Sequence, residues 1–136
     1  MGGRAKVYPD RETALARFRL QPPQPCANTY LVEYIARHSL MAAEGGWAWK
    51  FDDELPMTMK SFERLPDEYR QLGVKLGVIY GADSELFSRR TLEYMRELVP
   101  QDFPAVAIPN AQHHVFLDQP EAFVSALRTM LVDLGR

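Results

Sequence analysis

A chain of 136 residues that is 46% apolar, with a formal net charge of -2, has the composition of one globular domain or a piece of one. No segment is long and apolar enough to span a bilayer, and both signs of charge are spread along the chain, so neither a nucleic-acid stripe nor a polybasic membrane patch is expected. The lone cysteine, Cys26, excludes an internal disulfide and fits a reducing, cytoplasmic setting, and no Cys/His cluster or Asp-rich loop has metal-binding spacing, so no metal and no cofactor are expected.

The N-terminus, M-G-G-R-A-K, lacks the apolar stretch of a signal peptide, and Lys6 stands where N-myristoylation wants Ser or Thr. Asp10 is a good N-cap for a short helix from about Arg11 to Phe18, and Pro22-Pro23-Gln24-Pro25 ends it as a stiff connector. Asn28 or Thr29 can cap a second helix, Tyr30 to about Ala43, stopped by Gly45-Gly46. Leu31, Tyr34, Ile35 and His38 share one face of it, so His38 reads as a packed, hydrogen-bonded histidine. Trp47, Trp49 and Phe51 alternate, which puts them on one side of an extended segment, as a core patch or as the wall of a small-molecule pocket. From Asp52 to Arg70 the chain reads as irregular, broken at Pro56 and Pro66, with Met57 and Met59 as adaptable apolar residues and a short helix at about Asp67 to Leu72 that turns Tyr69 and Leu72 inward.

The second half reads as strand, helix, strand, helix. Val74 to Tyr80 ends in a short apolar run that suits a parallel strand covered on both faces, and Gly81 breaks it. Ser88 caps a helix from Arg89 to Val99 with Leu92, Met95, Leu98 and Val99 inward. Ala105 to Ile108 is the next strand. Pro120 opens the last helix, which runs to Leu134 with Phe123, Leu127, Met130, Leu131 and Leu134 as its inner stripe.

Two loops follow the carboxyl ends of these strands, where open α/β sheets place their reactive groups. One carries Asp83, Ser84 and Glu85, and the other carries His113 and His114. A histidine on such a loop can act as a general base, and a carboxylate beside it would hold its tautomer. Each is also an ordinary solvated loop residue when read alone. Ser84, Ser88 and Cys26 are poor nucleophile candidates, because none sits on a Gly-flanked elbow.

The run A-V-A-I-P-N-A-Q-H-H-V-F-L-D-Q-P-E resembles the C-terminal end of an α/β-hydrolase: a strand, a histidine loop, then a helix opened by Gln119-Pro120-Glu121. G-W-A-W-K-F-D resembles a pattern near the end of the cap in a subset of that family. The resemblance implies an α/β fold in part: residues 1–72 as a mainly helical cap, and residues 73–136 as the C-terminal β-α-β-α portion of the core. It also implies His113 as catalytic base, with Glu85 or Asp83 as the acid. Many relatives have the aspartate where Ser84 stands, so the two flanking carboxylates stay open as alternatives. Trp47, Trp49 and His114 are then substrate contacts, and the substrate is a small ester or related acyl compound. G-x-S-x-G and the Gly-rich oxyanion loop are absent from this sequence, so the chain is expected to be inactive alone and to need a missing N-terminal portion or second polypeptide. The alternative is a non-catalytic, self-associating binding module of the same ancestry.

Overall fold

The computed structural model describes residues 6–51 and 65–135. Two units divide the chain, Met1–Ser61 and Phe62–Arg136. The expected breaks and methionines between Asp52 and Phe62, Met57 and Met59 among them, lie outside the described residues.

In the first unit, Asp10 caps α1 (Arg11–Leu15): its Oδ1 accepts from the Thr13 backbone N–H at 2.7 Å. That bond, with a second from the Thr13 hydroxyl, holds the Asp10 carboxyl below its ordinary value of 3.8. The helix is shorter than its periodicity suggests, because the chain turns after Leu15. α2 covers Thr29–His38, and the expected continuation to Ala43 is instead β1 (Leu40–Ala43), paired antiparallel with β2 (Gly46–Trp49). Gly45 therefore lies in the hairpin turn Glu44-Gly45 and Gly46 opens β2, and the pair is not a helix stop. Gly45 takes φ +84° and Gly46 φ +148°, and a Cβ on Gly46 would run into the carbonyl of Tyr8. Tyr8 needs that closeness, since it exchanges two backbone hydrogen bonds with Trp47 (2.7 and 2.8 Å) and adds a third extended segment to the hairpin. Tyr8, Ala14 and Leu40 form the core here, with Leu15, Trp47 and Trp49 packed on it. His38 departs from its expected place on a packed stripe. It is exposed, stacks on Tyr34 at 4.1 Å, and its Nδ1 lies 2.8 Å from the Tyr34 carbonyl; because a carbonyl only accepts, Nδ1 carries the proton.

In the second unit, α3 (Leu65–Arg70) precedes β3 (Val78–Gly81), α4 (Arg89–Leu98), β4 (Ala105–Ile108), α5 (Val115–Asp118) and α6 (Pro120–Leu134). β3 and β4 pair in parallel, Val78 opposite Ala105 through Gly81 opposite Ile108. The alternation of side chains along a strand sorts them into two layers. Val78, Tyr80 and Ala105 face a core of Leu92, Met95, Val99 and Phe103, to which Tyr69 and Leu72 also pack. Ile79 and Val106 face Ile108, Ala111, Val115, Phe123 and Ala126. Helices thus cover both faces of the strand pair, as the apolar runs require. Ser88 caps α4 through the Thr91 N–H, and the Thr91 hydroxyl returns the bond. β3 begins later than expected, at Val78. The inner stripe of α6 is also narrower: Met130 is buried and Phe123, Ala126 and Leu134 are half-buried, while Leu127 and Leu131 are exposed. A helix lying on two strands has room to bury only its central line. Among the described residues, no helix is long and apolar enough to cross a membrane.

Candidate active site

The parallel register brings the carboxyl ends of β3 and β4 side by side, and the loops that leave them are stitched together by main chain. The Ala82 N–H donates to the Ile108 carbonyl (2.9 Å) and the Asp83 N–H to the Ala111 carbonyl (3.0 Å). Gly81 makes this approach possible. A Cβ there would overlap the carbonyl oxygens of Ala111 and Gln112 and would lie 2.6 Å from the Ala111 carbonyl carbon. Beyond the crossing, Ser84 shapes the acid loop: its Oγ accepts from the Phe87 N–H at 3.1 Å, which fits a turn residue and not a nucleophile. The side chains of Asp83 and Glu85 are exposed.

The histidine loop is held from behind. Asn110 adopts φ 55°, a left-handed turn that asparagine tolerates. Its carbonyl accepts from Gln119 Nε2 at 3.1 Å, and Asp118 Oδ2 accepts from the Gln112 N–H at 2.7 Å. Ala111 is 0% exposed and Leu117 1%, so the loop is pinned on both sides of the histidines. His114 lies half-buried at the N-terminus of α5, its carbonyl accepting from the Leu117 N–H. His113 is exposed, its ring edge-on to that of His114 at 5.4 Å. Among the described residues no hydrogen bond or ion pair joins His113 to Asp83 or Glu85. The structure brings the two loops together and leaves the side-chain pairing unmade.

Asp118, Gln119 and Gly81 are the positioning residues that sequence reasoning overlooked as such. Gln119-Pro120-Glu121 reads only as the opening of a helix, Asp118 has no role in that reading, and Gly81 reads only as a strand breaker. Trp47 and Trp49 belong to the first unit. Trp47 packs in its core with the Arg11 guanidinium 5.6 Å from the ring centre, and Trp49 lines an open cleft of about 700 Å³.

No protein-family description matches the chain, and no curated protein does. Solved structures do. E-2-(acetamidomethylene)succinate hydrolase aligns over 93% of this chain and 47% of its own, with a TM-score of 0.65 and 20% identity. An esterase of Mycobacterium tuberculosis aligns over 93% and 42%, with a TM-score of 0.67 and 18% identity. The thioesterase domain from the curacin biosynthetic pathway aligns over 93% and 44%, with a TM-score of 0.61 and 19% identity. The chain has part of the α/β-hydrolase fold. It spans less than half the length of each of these three hydrolases, which agrees with the C-terminal portion that its sequence resembles. At these identities the likeness carries the α/β-hydrolase fold and not a particular activity.

Proposed function

We propose that the chain is the acid- and histidine-bearing part of a serine-hydrolase-like enzyme acting on a small ester or related acyl substrate. The observation that carries this is the main-chain stitching of the two loops, Asp83 N–H to Ala111 carbonyl, which holds candidate acids and His113 on one rim at the strand ends. An exposed imidazole without a competing partner can take a proton from a nucleophile brought to it. Glu85 or Asp83 then orients the ring by a rotamer change when the site is completed, as acid–base contacts often tighten only in the reacting complex. His114 is a substrate contact in this reading. An esterase and a thioesterase among the similar structures support an acyl substrate. The nucleophile elbow and oxyanion hole come from another portion of polypeptide, since this sequence has no G-x-S-x-G.

The test is hydrolysis of p-nitrophenyl acetate by the purified chain, alone and after mixing or fusion with a polypeptide that carries the elbow half of the fold. The chain alone is expected to be inactive. The assembled protein is expected to turn over and to lose at least about a hundredfold in kcat in His113→Ala, the usual contribution of a general base. Turnover by the chain alone, or an assembled enzyme indifferent to His113, overturns the proposal.

A second reading has its own observation. Among the described residues β3 and β4 form a sheet of two strands, each with an unpaired edge, and Leu131 and Val132 on α6 are 59% and 56% exposed. Open edges and exposed apolar side chains favour self-association as a binding module. Sedimentation separates the two: a stable oligomer that excludes the complementary half supports the module.

A further inference from the structure

The cleft that Trp49 lines has a composition that the hydrolase reading does not use. Four cationic side chains open onto it, Lys6, Arg17, Arg19 and Lys50, and among the described residues no carboxylate lines it. Phe18, Trp49 and Phe51 supply an apolar wall, with Phe18 and Trp49 in ring contact at 5.5 Å. The ion pairs among the described residues join Glu33 to Arg37, Asp67 to Arg70 and Glu93 to Arg89, so none of them neutralises the four. Gathering like charges around a concave, partly apolar surface costs self-repulsion and focuses a positive potential into it, which an entering anion relieves.

Two of the cations are already positioned. Arg19 Nη1 donates to the carbonyls of Ala16 (3.0 Å) and Phe18 (2.6 Å), and the rest of its guanidinium keeps further donors. Lys50 Nζ donates to the His38 carbonyl at 2.8 Å, which fixes its ammonium with two donors left over. Anchoring a long side chain before the ligand arrives removes part of the ordering cost of binding. The volume, about 700 Å³, lies within the range of small-molecule sites.

We propose that this cleft binds an amphiphilic anion: a carboxylate or phosphate head on the cations, carried by an aliphatic or aromatic body on Phe18, Trp49 and Phe51. The site lies wholly within the first unit and does not rest on the reading of His113, so either can fail without the other.

The experiment is calorimetric titration of the purified chain with sodium octanoate, with monooctyl phosphate and with 1-octanol, the tryptophan fluorescence being followed in parallel. At least one of the two anions is expected to bind, to perturb the fluorescence and to bind more weakly at high salt. Octanol is expected to bind at least about tenfold more weakly, the least that losing a charge-assisted hydrogen bond costs. Tighter octanoate marks a carboxylate ligand, and tighter octyl phosphate a phosphate ester. The Lys6→Gln/Arg17→Gln double variant, which spares the two anchored cations, is expected to weaken the preferred anion about tenfold with its thermal transition unchanged. Octanol binding as tightly as the anions, no binding of either anion, or a folded double variant with unaltered affinity each overturns the site.

Discussion

Replacing Gly81 with alanine is expected to cost the second unit about 3 kcal/mol and to lift the histidine loop off the strand end. The added methyl meets main chain: the carbonyl oxygens of Ala111 and Gln112, with the Ala111 carbonyl carbon at 2.6 Å. Neither rotates away as a side chain would, so the upper end of the overpacking range applies, about 3 kcal/mol. Moving Ala111 also breaks the 3.0 Å bond from the Asp83 N–H, about 1 kcal/mol more, and the reduced freedom of the unfolded alanine chain returns a similar amount. Two other glycines calibrate the measurement. At Gly77 a Cβ would press on the Met130 side chain, which is flexible, so Gly77→Ala is expected to cost about 1 kcal/mol or less. At Gly73 nothing lies within 4 Å and the backbone is not left-handed, so Gly73→Ala is expected to stabilise by a few tenths of a kcal/mol, roughly. Urea unfolding followed by far-UV ellipticity, with hydrogen exchange at the β3 and β4 amides, reads the series. The fluorescence of Trp47 and Trp49 reports the first unit instead. A Gly81→Ala protein within about 0.5 kcal/mol of Gly73→Ala would refute the idea that this glycine exists to let the histidine loop pass.

Asp118→Ala removes a charged acceptor from the Gln112 N–H and is expected to cost about 1.5–3 kcal/mol, with faster exchange of the Gln112 amide as the specific readout. Gly46→Ala should disrupt the first unit, seen as early loss of the native tryptophan fluorescence on heating, because the methyl runs into the Tyr8 carbonyl at φ +148°. The folded Asp10 carboxyl titrates below 3.8, so its contribution to stability is present above about that pH and is lost as pH falls through the lowered value. Asp10→Asn keeps a capping oxygen without the charge; its tryptophan-monitored stability should fall less than that of the parent between pH 4 and pH 2, and equal losses would dismiss the cap.

Local signals carried much of the fold. Pro120 at the first position of a helix, Ser88 as a cap and the short apolar run Ala105–Ile108 each have a physical reason that acts within a few residues, and each marks an element where it stands. The failures lie where a distant partner decides. Leu40 to Ala43 carries a helical pattern continuous with α2, yet it pairs as a strand because Trp47 and Trp49 across a glycine turn offer it a ladder. Leu127 and Leu131 follow the helical period of an inner stripe, yet they lie outside because the two strands among the described residues do not cover them.

The same division runs through the candidate site. That Asp83, Glu85 and His113 would sit on neighbouring loops followed from two parallel strands, since parallel pairing brings both carboxyl ends to one edge. What the sequence could not display is how a loop with one left-handed residue, Asn110, closes so that Asp118 reaches the N–H of a residue six positions earlier. That closure pins the backbone on either side of the two histidines and leaves the His113 ring exposed. On the proposed reading, His113 is a base on a rigid stem without a bonded carboxylate, so its position is determined and its tautomer is not. On that reading, a polypeptide that completes the fold would contribute more than a nucleophile. By burying the rim it would penalise a polar ring left without a partner, and so favour the rotamers in which Asp83 or Glu85 turns toward His113.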